Sequence, residues 1–153
     1  MCSHVGKVIA MHTRTLSDRA RVVHLDAGPS TAPKATLSRW VDLFVARALA
    51  WTQAERVEYS WISSYYCLSG LVADNLRRTC LVPHIAGFHT LALEKQLALP
   101  SGREPDEGTS GELNIVRHAQ SLLAMSKHER TALIERYGAT PSSVEVEFPG
   151  VGR

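Results

Sequence analysis

Cysteine is scarce in this sequence, and the few cysteines do not form a recognisable framework. Cys2, Cys67 and Cys80 are odd in number and lack the paired spacing of structural zinc sites. This pattern predicts free thiols in a reducing cytoplasm rather than a disulfide-stabilised secreted domain. The histidines show no metal-ligand spacing either, so we expect no metal site.

Long apolar runs are also lacking. The longest apolar segment, residues 37–51, is interrupted by Arg39, Asp42 and Arg47, which argues against a membrane span. The formal net charge is only +2 and no basic stripe is present, so nucleic acid is not an expected partner. The chain has no G-x-G-x-x-G loop, P-loop or G-x-S-x-G turn, which excludes the nucleotide sites and the hydrolase built on them.

What the sequence does contain is an alternation of strand and helix patterns. Tyr59 to Ser63 has the pattern of a buried strand, Leu68 to Arg78 that of a helix, and Leu81 to Phe88 that of the next strand. The 153 residues suffice for one domain with a sizeable core. The alternation predicts an α/β fold with a mostly parallel sheet.

Helix starts and stops support this interpretation. Thr36 is the predicted cap of a helix that begins at Leu37. Ser126 to Glu129 forms a capping box that opens a helix, and Gly138 is suited to end that helix after Tyr137. The polar segment 100–111 predicts a loop.

Polar side chains follow the predicted strands. Tyr66 comes at the end of one strand, and His89 and Thr90 come at the end of the next, with Lys95 further along the following helix. Ligands of open parallel sheets bind outside the carboxyl ends of the strands. A sugar phosphate bound there would need a cation, hydroxyl donors and helix N-terminal amides.

In order and spacing, several short segments resemble the acceptor-side domain of family 4 glycosyltransferases. The similarity runs from Lys7 to Val151 and is nearest to sucrose-phosphate synthase-like and inositol-phosphate glycosyltransferases. It implies a Rossmann-like three-layer α/β domain, one half of the GT-B arrangement, with the first strand and the donor domain outside the chain. The segments are Tyr65-Tyr66-Cys67-Leu68-Ser69-Gly70, Val82-Pro83, His89-Thr90-Leu91 with Lys95, and Phe148-Pro149-Gly150-Val151.

The resemblance also implies a reaction. It is the transfer of a sugar, with retention, from a nucleotide-sugar to a sugar or polyol acceptor, phosphorylated or not. His89 would be the catalytic residue against the transferred sugar. Lys34, Tyr66 and Thr90 match positions that contact the acceptor phosphate, and Lys95 would lie on the acceptor side. No cofactor is implied, because the nucleotide-sugar is a co-substrate held mainly by the donor domain, and the chain alone is expected to be inactive.

Two departures from the family pattern leave an alternative open. The chain has Ser63-Ser64-Tyr65-Tyr66 where the family has His-Ser-His-Tyr, and an arginine of the family has no counterpart near Gly108. The alternative is a non-catalytic remnant or binding module that keeps the fold. Taken singly, Lys34 would then be a solvated lysine, Thr90 a helix cap and His89 a structural histidine. In either case the cleft face would be apolar and open to self-association.

Overall fold

The computed structural model describes residues 10–98 and 106–147. The chain divides into two compact units, Met1–Glu58 and Tyr59–Arg153, which are described separately. The start of the resemblance at Lys7, residues 100–105 of the predicted 100–111 loop and the Phe148–Val151 turn lie outside the described residues. The rest of that predicted loop is wrong, because residues 106–111 belong to a helix that begins at Asp106.

The first unit is a β-hairpin followed by helical turns. Strands β1 (Ala10–Ser17) and β2 (Ala20–Leu25) pair antiparallel. A 3-10 helix (Lys34–Trp40) then leads into helix α1 (Val41–Glu55). In β2, the Arg21 guanidinium lies 4.7 Å from the centroid of the Trp51 ring and 3.6 Å from the Glu55 carboxylate, so β2 is tied to α1 within this unit.

The predicted role of Thr36 as a helix cap is wrong. The 3-10 helix already begins at Lys34, after Pro33. The Thr36 hydroxyl donates to the Pro33 carbonyl over 2.8 Å, so it lies inside the turn and does not accept from the next backbone amides. Pro33 is the residue before the first helical position, with an extended ψ of 141°, so the helical turn begins directly after it.

The second unit contains a four-stranded parallel sheet in the order β3-β4-β5-β6. The strands are β3 (Ile62–Tyr65), β4 (His84–Gly87), β5 (Ser121–Ala124) and β6 (Val144–Val146). Helix α2 (Tyr66–Cys80) connects β3 to β4, and α3 (Ala92–Ala98) and α4 (Asp106–His118) lie between β4 and β5. Helix α5 (Lys127–Glu135) connects β5 to β6. The predicted α/β fold with a parallel sheet is confirmed.

One face of this sheet carries the core. Ser64, Ala86, Leu122 and Val144 lie in register across the four strands, and all of them are buried. Apart from Gly87, which is buried, their neighbours along the strands, which point to the other face, are half-buried or exposed. Because the strands follow one another in chain order, right-handed crossovers bring the connecting helices to one side of the sheet. That side is the buried face.

The predicted strand at Tyr59–Ser63 is displaced. Pairing with β4 begins at Ile62, whose amide donates to the Pro83 carbonyl over 2.9 Å, and Ile62 is the register partner of His84. Tyr59 and Trp61 are 49% and 55% exposed. An aromatic, β-branched run therefore looked like a buried strand two to three residues before the actual pairing began.

Capping residues mark the start and end of α5 and the end of α2. At α5, Ser126 Oγ accepts from the Glu129 amide over 3.0 Å, and the Glu129 carboxylate accepts from the Met125 amide over 2.7 Å. The predicted Ser126 cap is therefore confirmed, with Glu129 bonded to the amide one residue before the cap, and Gly138 adopts a left-handed φ of +72° beyond the helix end. Helix α2 ends at Cys80, and the Leu81 that follows it has a left-handed φ of +56°, two residues before Pro83.

Candidate functional site

Three exposed rings come together at the carboxyl ends of β3 and β4. Tyr65 ends β3, Tyr66 begins α2, and His89 follows β4 by two residues. The His89 ring centroid lies 5.2 Å from that of Tyr65 and 5.5 Å from that of Tyr66. The tyrosines are 44% and 53% exposed, and His89 is exposed as well. We call Tyr65, Tyr66 and His89 the ring cluster.

The backbone of the ring cluster is strained at two positions. Tyr66 has a φ of +66° and His89 a φ of +63°, in the left-handed region that non-glycine residues rarely adopt. Such conformations cost about 1–3 kcal/mol each and are concentrated at active sites and ligand-binding positions. The Ser69 hydroxyl holds the turn at Tyr66, because it accepts from the Tyr65 amide over 3.1 Å and donates to the Tyr65 carbonyl.

A glycine makes room for one of these rings. Gly87 is the register partner of Tyr65 on β4. A Cβ atom built on Gly87 would lie 3.1 Å from both Cδ1 and Cε1 of Tyr65. The Tyr65 ring therefore rests on the Gly87 backbone, and its position depends on the absence of a side chain there.

A buried carboxylate occupies the start of α3, just beyond the ring cluster. Glu112 of α4 accepts from the Ala92 amide over 2.9 Å and from the Tyr137 hydroxyl over 2.6 Å. The Tyr137 oxygen in turn accepts from the Leu93 amide over 3.0 Å. Burial, and then the hydrogen bond to Glu112, raise the pKa of Tyr137 well above its usual value, so its proton stays on the donor oxygen. An anion at this edge would therefore be met by side chains rather than by these two amides.

The structure brings some of the predicted site residues together. Tyr66 and His89 are in ring contact, and Thr90 is exposed between His89 and α3. Lys95 is exposed on α3. Lys34 begins the 3-10 helix of the first unit, where it is exposed. The roles predicted for these residues remain predictions.

Comparison with known proteins gives similar glycosyltransferases. No family model matches the chain. The D-inositol 3-phosphate glycosyltransferase of Corynebacterium kroppenstedtii is 32% identical over 151 residues, which is 97% of this chain. That of Thermobifida fusca is 35% identical over 141 residues, or 89% of this chain. In both cases the chain spans 32% of the length of the curated relative.

Solved structures show the same fold. Two structures of sucrose-phosphate synthase from Thermosynechococcus elongatus match with TM-scores of 0.76 and 0.66, both at 22% sequence identity. They cover 91% and 90% of this chain, which corresponds to 35% and 68% of the matched chains. The chain is similar to part of a GT-B glycosyltransferase. The resemblance predicted from the sequence is thereby confirmed.

Two residues at this edge of the sheet were not predicted from the sequence. Tyr65 was noted only as a departure from the family pattern, although it ends β3 beside the predicted Tyr66. Glu112 carried a usable signal, because it lies three and four positions before Ile115 and Val116, which are both buried. A carboxylate on the apolar face of a helix has to find hydrogen-bond donors, and here they are the start of α3 and Tyr137.

A second polar group lies in the core of the second unit. Ser64 Oγ and His84 Nε2 are 2.8 Å apart and both residues are buried. Burial lowers the pKa of His84, Arg77 acts in the same direction, and Asp74 opposes them. Asp74 is itself paired with Arg77 over 2.8 Å and with Arg78 over 2.5 Å. Because Ser64, His84 and Asp74 are buried, we assign this group to the stability of the sheet and not to ligand contact.

Among residues 10–98 and 106–147, no group of three histidine, cysteine or acidic side chains could hold a metal ion. Within the same residues, no helix combines the length and apolar character that a membrane crossing needs.

Proposed function

We propose that this chain supplies the acceptor-binding half of a retaining glycosyltransferase. The reaction would transfer a sugar from a nucleotide-sugar to a sugar or polyol acceptor, phosphorylated or not, in the cytoplasm. The observation that supports it is the exposed, strained ring cluster at the carboxyl edge of a parallel sheet. It lies in a chain that is similar to D-inositol 3-phosphate glycosyltransferases.

Each predicted residue has a part in this proposal. His89 would lie against the transferred sugar, with its ring held by Tyr66. The hydroxyls of Tyr66 and Thr90 would bind the acceptor, Lys95 would lie beside it, and Lys34 would supply positive charge. Glu112 and Tyr137 already occupy the Ala92 and Leu93 amides, so a phosphate group would depend on side chains for its binding.

Binding of the nucleotide-sugar donor would be the role of a domain that matches the part of the relatives outside this chain. There, positive groups and helix N-termini would stabilise the phosphates of the nucleotide-sugar, with no metal or other cofactor. The acceptor hydroxyl would attack in the cleft between the two parts. Transfer depends on both reactants being held in place, so we expect no turnover from these 153 residues alone.

The second candidate is a binding module or remnant without catalytic activity. It is favoured by the residues at the end of β3, where Ser63 and Tyr65 replace the two histidines of the family pattern. An assay of nucleotide release from nucleotide-sugars distinguishes the transferase half from the non-catalytic module only when the chain is joined to a donor domain. Turnover by the isolated chain would contradict the division of roles in the first proposal.

A binding experiment tests the acceptor site directly. We would titrate the 15N-labelled chain with D-inositol 3-phosphate and with inorganic phosphate, and follow amide NMR shifts. We expect millimolar affinity, shifts at Tyr66, His89 and Thr90, and weaker binding at high salt. A charge-assisted contact contributes about 1.5–3 kcal/mol, so Lys34→Ala should weaken binding of the phosphate by roughly ten- to a hundredfold.

The control is Arg117→Ala, which removes an exposed arginine in the last turn of α4, before β5 and therefore at the opposite edge of the sheet. The affinity of this control variant for phosphate should equal that of the unmodified chain. Shifts confined to other surfaces, or equal binding by the Lys34→Ala variant, would contradict the assignment of the phosphate to this site.

A further inference from the structure

Tyr65 is the member of the ring cluster to which the family pattern gives no role. Its ring rests on Gly87 and contacts the His89 ring at 5.2 Å between centroids, yet 44% of the residue is exposed. Its backbone is fixed at both ends, because Ser69 Oγ binds the Tyr65 amide and carbonyl. A large aromatic side chain is therefore held in place and still presents much of its surface to solvent.

The chemistry of the ring cluster is that of a surface for a cyclic polyhydroxyl ligand. Its members combine flat apolar ring faces with polar atoms, namely the phenol oxygens of Tyr65 and Tyr66 and the imidazole nitrogens of His89. Sugars and cyclitols have the same combination, with an apolar C–H face and a rim of hydroxyl groups. Ligand sites commonly pair aromatic walls with a few placed polar groups.

We propose that Tyr65 is the stacking residue for the acceptor ring and a determinant of acceptor specificity. This inference rests on the proposed acceptor-binding function. The ring face of Tyr65 packs on the C–H face of a sugar or cyclitol, while Tyr66 and His89 meet its hydroxyl groups. The contact does not require a phosphate on the acceptor, so neutral and phosphorylated rings both use it.

The test compares neutral myo-inositol with D-inositol 3-phosphate by saturation-transfer NMR and by titration. Tyr65→Ala should lower the affinity for both ligands by about two- to tenfold, the range expected for one aromatic contact. Tyr65→Phe keeps the ring and should stay within about twofold of the unmodified chain. Gly87→Ala, whose new Cβ would press on two Tyr65 ring atoms, should give an intermediate loss.

The matched control is Tyr59→Ala, which removes another half-exposed tyrosine, 49% exposed and outside the ring cluster. It should leave both affinities unchanged, and circular dichroism verifies the fold of each variant. If the ligands bind and the Tyr65→Ala variant has the same affinities as the Tyr59→Ala variant, the stacking role is overturned while the acceptor site stands. If neither ligand binds the unmodified chain, the proposed function is overturned, and the stacking role with it.

Discussion

Removal of the Glu112 carboxylate is the most informative test of how the edge of the sheet is held. Glu112→Ala leaves the Ala92 amide and the Tyr137 hydroxyl without their acceptor, and these residues are 3% and 6% exposed. A buried donor without a partner costs about 1–3 kcal/mol. With two such donors, we expect the free energy of unfolding to fall by about 2–6 kcal/mol, a large share of the stability of a small domain.

Two variants give this prediction its scale. Glu112→Gln keeps an acceptor oxygen and loses only the charge, so it should cost about 1–2 kcal/mol. Glu145→Ala removes an exposed glutamate on β6 and should change stability by less than about 0.5 kcal/mol. Urea unfolding followed by circular dichroism measures all three. The reasoning is refuted if Glu112→Ala costs no more than Glu145→Ala.

Three further predictions concern the elements around the ring cluster. Ser69→Ala removes the hydroxyl that binds both backbone groups of Tyr65 and should cost about 0.5–2 kcal/mol in urea unfolding; unchanged Tyr66 and His89 ring signals in NMR would contradict its role. Gly70→Ala places a Cβ against the buried Ile115 Cδ1 and should cost about 1–3 kcal/mol, with partial rescue by Ile115→Val; a missing rescue would count against direct overlap. Because burial holds the folded-state pKa of His84 below its ordinary 6.5, the unfolded state binds more protons, and stability should fall below about pH 6.5 by at most about 1.4 kcal/mol per pH unit. In urea unfolding between pH 8 and pH 5, the free energy of unfolding of His84→Gln should depend less steeply on pH than that of the unmodified chain. Equal pH dependence in both would exclude His84 as the cause.

Much of the parallel sheet could be predicted because its signals are local. The Ser126 cap on the Glu129 amide depends on residues three apart and was confirmed. The start of β3 failed because it is set by pairing of Ile62 with His84, more than twenty residues away, which hydrophobicity alone does not encode. The aromatic residues before Ile62 have strand character but no strand partner at that position.

The candidate site was predicted only where chain order implies proximity. Tyr66 and His89 follow neighbouring parallel strands, so their approach could be expected and is observed. The contacts of Glu112 could not be expected from the sequence, since they depend on α4 folding back onto the start of α3. The roles of Lys34, Thr90 and Lys95 came from the family resemblance, and they stay predictions.

The close approach of α2 and α4 limits how the ring cluster can respond to a ligand. Gly70 faces Ile115, and a Cβ on Gly111 would lie 2.5 Å from Cys67 Sγ, so the two helices meet with no spare volume. Helix α2 begins at Tyr66, and α4 carries the Glu112 that binds the start of α3. Neither helix can slide without overlap at these glycines. Selectivity among acceptors would then come from rotation of the Tyr65, Tyr66 and His89 side chains, and a change of acceptor could evolve by substituting these rings while the helices beneath them stay in place.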